Sequence, residues 1–325
     1  MSEEKVRILI VKLGYSETLD PEIGLYPSLG DVLRTTAILW ALKEKYPQSQ
    51  ISWLVSKAAS PLIKNNCLID RVLIWNDFVP FQLMREKLDV LVNLEKVSGI
   101  CALSDMVDAW VKFGFRFDSL TGTYHAYETG LDMVHYIERK KNSAEHKDVW
   151  QKILIEMLGV KWKGQKYILG YKPDTEVVCD VGLNYKVGNK WPTKSMPMSK
   201  WKELEKELLD CGYTVSWQEG LTDLYEYMDW LNSNRLIISH DSLGLHLALA
   251  LEKRVVGLFS ISDPREVYLY QLGHSVVPDT ACPYIPCLKP ECEYDDFCMN
   301  SISINEIVRA VKDHIDVPAQ MQKQG

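Results

Sequence analysis

The stretch from Leu236 to Phe259, LIISHDSLGLHLALALEKRVVGLF, constrains the fold more than any other part of the sequence. A short apolar run, Leu236 to Ser239, leads into a polar turn, His240-Asp241-Ser242, and then an apolar helical segment. A second β-branched run, Val255 to Phe259, closes the unit. Strand, tight turn, helix and strand make a βαβ module. Asp241, Ser242 and Gly244 converge where the helix begins, and the first N–H groups of a helix lack intrahelical partners. A helix N-terminus at the carboxyl edge of a parallel sheet is a ready anion site, above all for phosphate. The plain alternative is that Asp241 only caps the helix and His246 only packs.

The rest of the chain repeats this rhythm. Val6 to Lys12 (VRILIVK) reads as a buried parallel strand, and Tyr15 to Ser28 as a polar loop with no period. Gly30-Asp31-Val32 opens an amphipathic helix expected from about Val32 to Tyr46, stopped by Pro47. Strand signals recur at Ile51–Val55, Val72–Trp75 and Val90–Leu94 with helical stretches between, so the first half is doubly wound α/β. Gly159 to Lys172, rich in Lys, Gly and Tyr, is the candidate linker. A second α/β series follows it. The expected domains are 1–165 and 166–325, each Rossmann-like, with a ligand cleft between their carboxyl edges.

Charge and composition exclude several classes. The net charge is −7 with no long basic run, which argues against a nucleic-acid partner. No apolar run approaches the ~20 residues of a membrane span, and the start MSEEKVRILIVKLG is unlike a signal peptide. A cytoplasmic protein is expected, with peripheral contact to a membrane-bound acceptor the one membrane role left open. Cys67, Cys101, Cys179 and Cys211 are scattered in apolar contexts and read as reduced core residues.

Two further motifs carry chemistry. Asp31 at a helix start is held ionised by the helix dipole; it is either a cap or a general base. Lys194, in Trp191-Pro192-Thr193-Lys194-Ser195-Met196-Pro197, is fixed between two prolines before a helix. It is either a solvated loop lysine or a point charge for a phosphate.

In order and spacing, these stretches resemble glycosyltransferase family 9, the ADP-heptose:lipopolysaccharide heptosyltransferases. The resemblance rests on Gly30-Asp31-Val32 with LRTTAILWALKEKYPQSQISWLV, on Lys194 with SMPMSKWKEL, and on SHDSLGLHLALALEKRVVGLFSISDP. It implies a GT-B fold, two Rossmann-like doubly wound domains facing across a cleft, with the acceptor on the first and the nucleotide-sugar donor on the second. It implies inverting transfer without a catalytic metal. Asp31 matches the base, and Lys194 the lysine that neutralises the donor diphosphate. Asp241 matches the acid near the donor sugar, and the amides of Ser242, Leu243, Gly244 and Leu245, ahead of His246, match the phosphate cradle. Glu219 matches a ribose-binding carboxylate. This sequence departs from the family at the 15–28 insertion, at the Leu243-Gly244 order, and at Phe259-Ser260-Ile261-Ser262-Asp263-Pro264.

Cys282, Cys287, Cys292 and Cys298 crowd one stretch with Pro283, Pro286 and Pro290. The set has no Cys-x2-Cys pair, so structural Zn or Fe, reduced thiols and disulfides all stay open. Some protein-modifying members of the family look similar in carrying a four-cysteine metal loop, which extends the acceptor classes from glycan to protein. The function expected is transfer of a sugar, heptose from ADP-heptose foremost, to an acceptor hydroxyl. The rivals are a GT-B nucleotide-sugar epimerase or hydrolase, and a catalytically silent nucleotide-sugar-binding protein.

Overall fold

The two α/β series form two separate parallel sheets. The computed structural model describes residues 5–15, 28–140, 148–294 and 297–316, and the chain divides into units Met1–Tyr171 and Lys172–Gly325. The 15–28 insertion falls almost wholly outside the described residues.

Unit 1 holds strands β1 (Val6–Val11), β2 (Ser49–Val55), β3 (Arg71–Ile74), β4 (Lys87–Asn93), β5 (Asp108–Asp118) and β6 (Thr123–Ala126), in the order β3-β2-β1-β4-β5-β6. The first five are parallel, and β6 runs antiparallel to β5. Ile8, Leu9 and Ile10 are fully buried, which is why β1 is a continuous apolar run rather than an alternating one. The chain leaves β1 for β2 and β3 on one side and returns to β4 on the other. The carboxyl ends of β1 and β4 therefore flank a topological switch point. Gly114 lets β5 turn from β4 towards β6: its φ is +88°, and a Cβ there would lie 1.9 Å from the Asn93 carbonyl oxygen.

The single helix expected over residues 32–46 is instead two, α1 (Leu29–Thr35) and α2 (Ile38–Lys45). The break is at Thr36, whose amide and hydroxyl both bond Leu33 O, at 3.0 and 2.6 Å. A threonine hydroxyl that bonds local backbone competes with the helix ladder. Helices α3 (Val79–Leu83), α4 (Ser98–Met106), α5 (Leu131–Lys140) and α6 (Trp150–Met157) complete the unit. The segment read as a linker is tied to this unit along part of its length. Lys166 O accepts from Trp40 Nε1, Ile168 O from Asn66 Nδ2, and Gly170 N–H donates to Leu62 O.

Unit 2 holds β7 (Cys179–Asn184), β8 (Val215–Trp217), β9 (Asn234–His240), β10 (Arg254–Leu258) and β11 (Gly273–Val276), all parallel in the order β11-β10-β9-β7-β8. Its switch point lies between β7 and β9. The helices are α7 (Met198–Asp210), α8 (Leu224–Asn232), α9 (Leu243–Ala250) and α10 (Ile304–His314). Trp201, Leu204 and Leu208 of α7 and Ile307 and Val311 of α10 close one core over Leu236, Ile238, Val256 and Leu258. Apart from His246, helix α9 is apolar on every face, as suits a helix buried along most of its length. The module β9–α9–β10 is the one read from residues 236–259. Among the described residues no helix is long and apolar enough to cross a membrane.

Candidate functional site

Strand β9 ends at His240, and the next residue faces a lysine rather than the helix. The N-cap of α9 is Ser242, not Asp241, and Ser242 has extended backbone with no side-chain cap bond. The capping alternative for Asp241 is thus corrected. Its carboxylate meets Lys194: Nζ lies 2.6 Å from Asp241 Oδ2 and donates to the Asp241 carbonyl at 2.8 Å. His246 Nε2 is 3.6 Å from the other carboxylate oxygen. The Lys194 and Asp241 side chains are each 13% exposed, so the pair is largely screened from water. Burial alone would raise the Asp241 pKa, but the charge of Lys194 and the bond from His246 hold it well below the usual carboxylate range.

Lys194 is carried on a short helical turn, Pro192–Lys194, and Pro197 sits at the N-cap of α7. The turn is fixed at both ends. Met196 N–H donates to His240 Nε2 at 2.9 Å, and Thr193 Oγ1 donates to Lys289 O at 2.6 Å. Burial and the nearby Lys194 charge, only partly offset by Asp241, depress the His240 pKa to about 3. His240 is therefore a neutral acceptor at physiological pH, packed edge-on to Trp201.

The first turn of α9 sits close against the end of β7. Tyr227 OH donates to Asn184 Oδ1 at 2.6 Å, and Asn184 Nδ2 donates to Ser239 Oγ at 2.7 Å. A Cβ on Gly244 would come within 2.2 Å of both Asn184 Nδ2 and Tyr227 Oη, so any larger residue must push these side chains aside. Leu245 is fully buried and Leu243 half-buried. What residues 242–245 can offer a ligand is mainly backbone N–H, at the positive end of the helix dipole.

The remaining expected residues are placed differently. Asp31 is third in α1, an acidic residue of the first turn, and the N-cap is Ser28. Its carboxylate lies 3.7 Å from Arg34 Nη1 and is 15% exposed. Glu219 is exposed in the loop after β8 and, among the described residues, has no bond to the Lys194–Asp241 cluster.

Cys282, Cys287, Cys292 and Cys298 line one cavity of about 30 Å³, together with Thr193 and Ile261. A water needs roughly 10–15 Å³, so the space suits an ion or a water. All eight cysteines are free thiols; Cys67 is exposed, against its reading as core. Burial, then the neighbouring thiols, raises the Cys298 pKa to about 11. Four soft sulfur donors fit Zn or Fe in kind. Yet among the described residues no three or more His, Cys, Asp or Glu side chains are gathered as metal ligands, so the expectation of a metal site is not supported by this arrangement.

Asn184, Tyr227 and His240 were not singled out as site residues from the sequence. One signal was available: Asn184 and His240 are polar residues that end apolar strands, and strand ends at a switch point line the crevice. As it stands, the unit 2 edge combines a held cation, an ionised carboxylate and a helix N-terminus. Such a set suits an anionic leaving group.

The sequence profile of glycosyltransferase family 9 (heptosyltransferase) matches residues 219–297. The lipopolysaccharide core heptosyltransferase OpsX of Haemophilus influenzae is 24% identical over 288 residues, covering 77% of this chain and 81% of OpsX. A glycosyl transferase family 9 structure from Veillonella parvula superposes with a TM-score of 0.65 at 17% identity, over 96% of this chain and 98% of that one. The dodecameric iron-containing heptosyltransferase TibC, solved with ADP-D-β-D-heptose, superposes at 0.56 and 12% identity, over 95% and 78%. With both sheets Rossmann-like, the chain has the GT-B fold of these structures, and over residues 219–297 it is similar to glycosyltransferase family 9.

Proposed function

We propose that this enzyme is an inverting heptosyltransferase that moves the sugar of ADP-heptose to a hydroxyl of a lipopolysaccharide-type glycan. The observation that carries the reading is Lys194 Nζ, held 2.6 Å from Asp241 beside the uncapped first turn of α9. As the acceptor oxygen attacks the anomeric carbon, the bond to the diphosphate oxygen breaks and negative charge grows on the departing ADP. Lys194 and the N–H groups at the start of α9 are preorganised for that charge, an effect typically worth a few kcal/mol. Asp241 sets the position of the lysine and lies where the sugar would sit. Asp31 takes the acceptor proton, the role that its place in the family pattern assigns. Because fixed cations and dipoles neutralise the diphosphate, the reaction runs with EDTA present. OpsX, a lipopolysaccharide core heptosyltransferase, favours the glycan acceptor.

The test is turnover of the purified chain with heptose-deficient lipopolysaccharide and a panel of ADP-, GDP-, UDP- and CDP-sugars. ADP release with ADP-heptose, absent without acceptor, is expected. Free sugar or an epimer formed without acceptor would instead indicate a hydrolase or epimerase. Asp31→Asn should lower turnover by about 10²–10⁴-fold and leave ADP binding intact. Near-normal turnover in Asp31→Asn would remove the base assignment.

The four-cysteine loop is also assigned a structural role in this reading. Cys282, Cys287, Cys292 and Cys298, which line one cavity but are not gathered as ligands in the structure, would draw together around one Zn or Fe ion and cross-link the proline-rich loop behind Thr193. About one metal per chain by elemental analysis, lost in Cys282→Ser/Cys287→Ser together with thermal stability, is the expected result. Four freely titrating thiols in protein purified under metal-replete conditions would refute it.

A further inference from the structure

The switch point of unit 1 is filled by the chain itself. Glu95, two residues beyond β4, is fully buried, and one of its oxygens accepts three consecutive backbone amides. These are Leu13 at 2.7 Å, Gly14 at 2.9 Å and Tyr15 at 3.2 Å, the residues that follow β1. Successive N–H groups converging on one point form an anion-binding nest. Here the anion is a side chain of the protein. Lys12, also fully buried, balances it: Nζ lies 3.7 Å from the same Glu95 oxygen and donates to the carbonyls of Leu94 and Tyr15, each at 3.2 Å.

Glu95 is itself held from the other side. Asn93 Oδ1 accepts the Glu95 amide at 3.0 Å, and the Glu95 carbonyl accepts from Cys101 Sγ at 3.1 Å. Asn93 Nδ2 spans to Phe115 O on β5 at 2.7 Å. The Glu95 backbone is thus pinned to the sheet, and the β1 loop is pinned to its carboxylate.

That loop sets where α1 begins. The Gly14 carbonyl accepts the amide of Ser28, the N-cap of α1, and the Ser28 carbonyl accepts the amide of Asp31 at 3.1 Å. A Cβ on Gly14 would stand 3.2 Å from Val32 Cγ2, so the loop and the first turn of the helix are in close contact. The line runs from Glu95 through Gly14 and Ser28 to Asp31.

We propose that Glu95, charge-balanced by Lys12, is a positioning residue for transfer: it fixes the β1 loop and through it the placement of Asp31. This rests on the reading of Asp31 as the base. By occupying the nest, Glu95 also keeps the unit 1 switch point from serving as a second diphosphate site.

The test uses the full chain as wild type, Glu95→Gln, and Glu95→Gln/Lys12→Met, the last removing both buried charges so that neither is left unpaired. Amide hydrogen exchange, kcat, KM and the ADP dissociation constant are measured on each. Loss of protection confined to residues 13–15 and 28–35, with kcat down by about 10²-fold and ADP affinity unchanged, is expected for both variants. Unchanged kcat overturns the proposal. So does protection lost throughout unit 1 with kcat falling only as the folded fraction falls, because that marks a purely structural residue. The exchange pattern does not depend on the role of Asp31. Full activity of Asp31→Asn would therefore overturn the base reading separately, while the 28–35 protection still decides whether Glu95 holds α1.

Discussion

The carboxyl edges of the two sheets carry the same kinds of groups and use them in opposite ways. In unit 1, Glu95 spends its charge on three backbone amides, with Lys12 fully buried beside it. In unit 2, Asp241 binds a lysine side chain and leaves the first turn of α9 without a side-chain cap. A carboxylate that takes amides seals a switch point. One that takes a lysine leaves the helix N-terminus for a ligand and fixes a cation next to it. Fold alone does not separate the two edges, since both are doubly wound parallel sheets with a reversal of strand order. The partner of one carboxylate does.

The largest expected effects follow from exchanging the two lysines for methionine. Lys194→Met should reduce kcat by about 10²–10³-fold and weaken ADP binding, at a stability cost below that of Lys12→Met because both side chains of the Lys194–Asp241 pair keep 13% exposure. Lys12→Met should do the reverse. Removing one partner of a buried pair leaves an uncompensated charge and costs about 3–5 kcal/mol in denaturant unfolding, while ADP affinity in the folded protein stays at wild-type strength. Titration calorimetry with ADP on both variants reads the contrast directly. If Lys12→Met weakened ADP as much as Lys194→Met does, the two edges would not be functionally distinct.

A smaller effect comes from the glycines that permit close approach at each edge. Gly114→Ala places a Cβ against backbone, the Asn93 carbonyl, at a positive φ; about 3 kcal/mol of destabilisation is expected from strain and overpacking together. Gly244→Ala meets only the ends of the Asn184 and Tyr227 side chains, which can move. About 1–3 kcal/mol is expected there, with a loss of ADP affinity that Gly114→Ala does not show. Equal ADP affinity in the two variants would mean that the first turn of α9 does not touch the diphosphate.

Much of this arrangement was legible in the residues. The run LIISHDSLGLHLALALEKRVVGLF is legible as a βαβ module because a polar turn with N-cap residues separates its apolar strand from its apolar helix, and β9–α9–β10 is that module. The prolines around Lys194 marked a fixed lysine, and it is fixed. Other features depend on contacts between residues far apart in sequence. Nothing in Lys12 or Glu95 shows that residues 83 apart share one buried site. The break at Thr36 depends on a hydroxyl that both bonds Leu33 O and accepts from the Ile168 amide. Helical periodicity runs straight across such a point. The carboxylate of Asp241 was legible as a group near an anion site, but its preference for Lys194 over the helix cap was not.

The smallest expected effect is a difference in acid sensitivity between the edges. His240 ties the Lys194 turn to β9 as a neutral acceptor, with its pKa depressed to about 3. In the unfolded chain it titrates near ~6.5. Between these values the unfolded state binds a proton that the folded state refuses, so stability falls as pH drops below ~6.5. Asp241 is also depressed, but a depressed carboxylate gives its full contribution above ~4 and loses it only below, so it is silent in the same window. From pH 6.5 to pH 5 the wild type should thus lose about 2 kcal/mol more than His240→Gln, near 1.4 per pH unit. Among the described residues the Lys12–Glu95 bonds given above involve no histidine, and this edge should keep its hydrogen-exchange protection over that range. Parallel pH slopes for wild type and His240→Gln would show that His240 takes up its proton over the same pH range in the folded and the unfolded protein. The Met196 amide would then need another acceptor, and the account of how Lys194 is held would have to change.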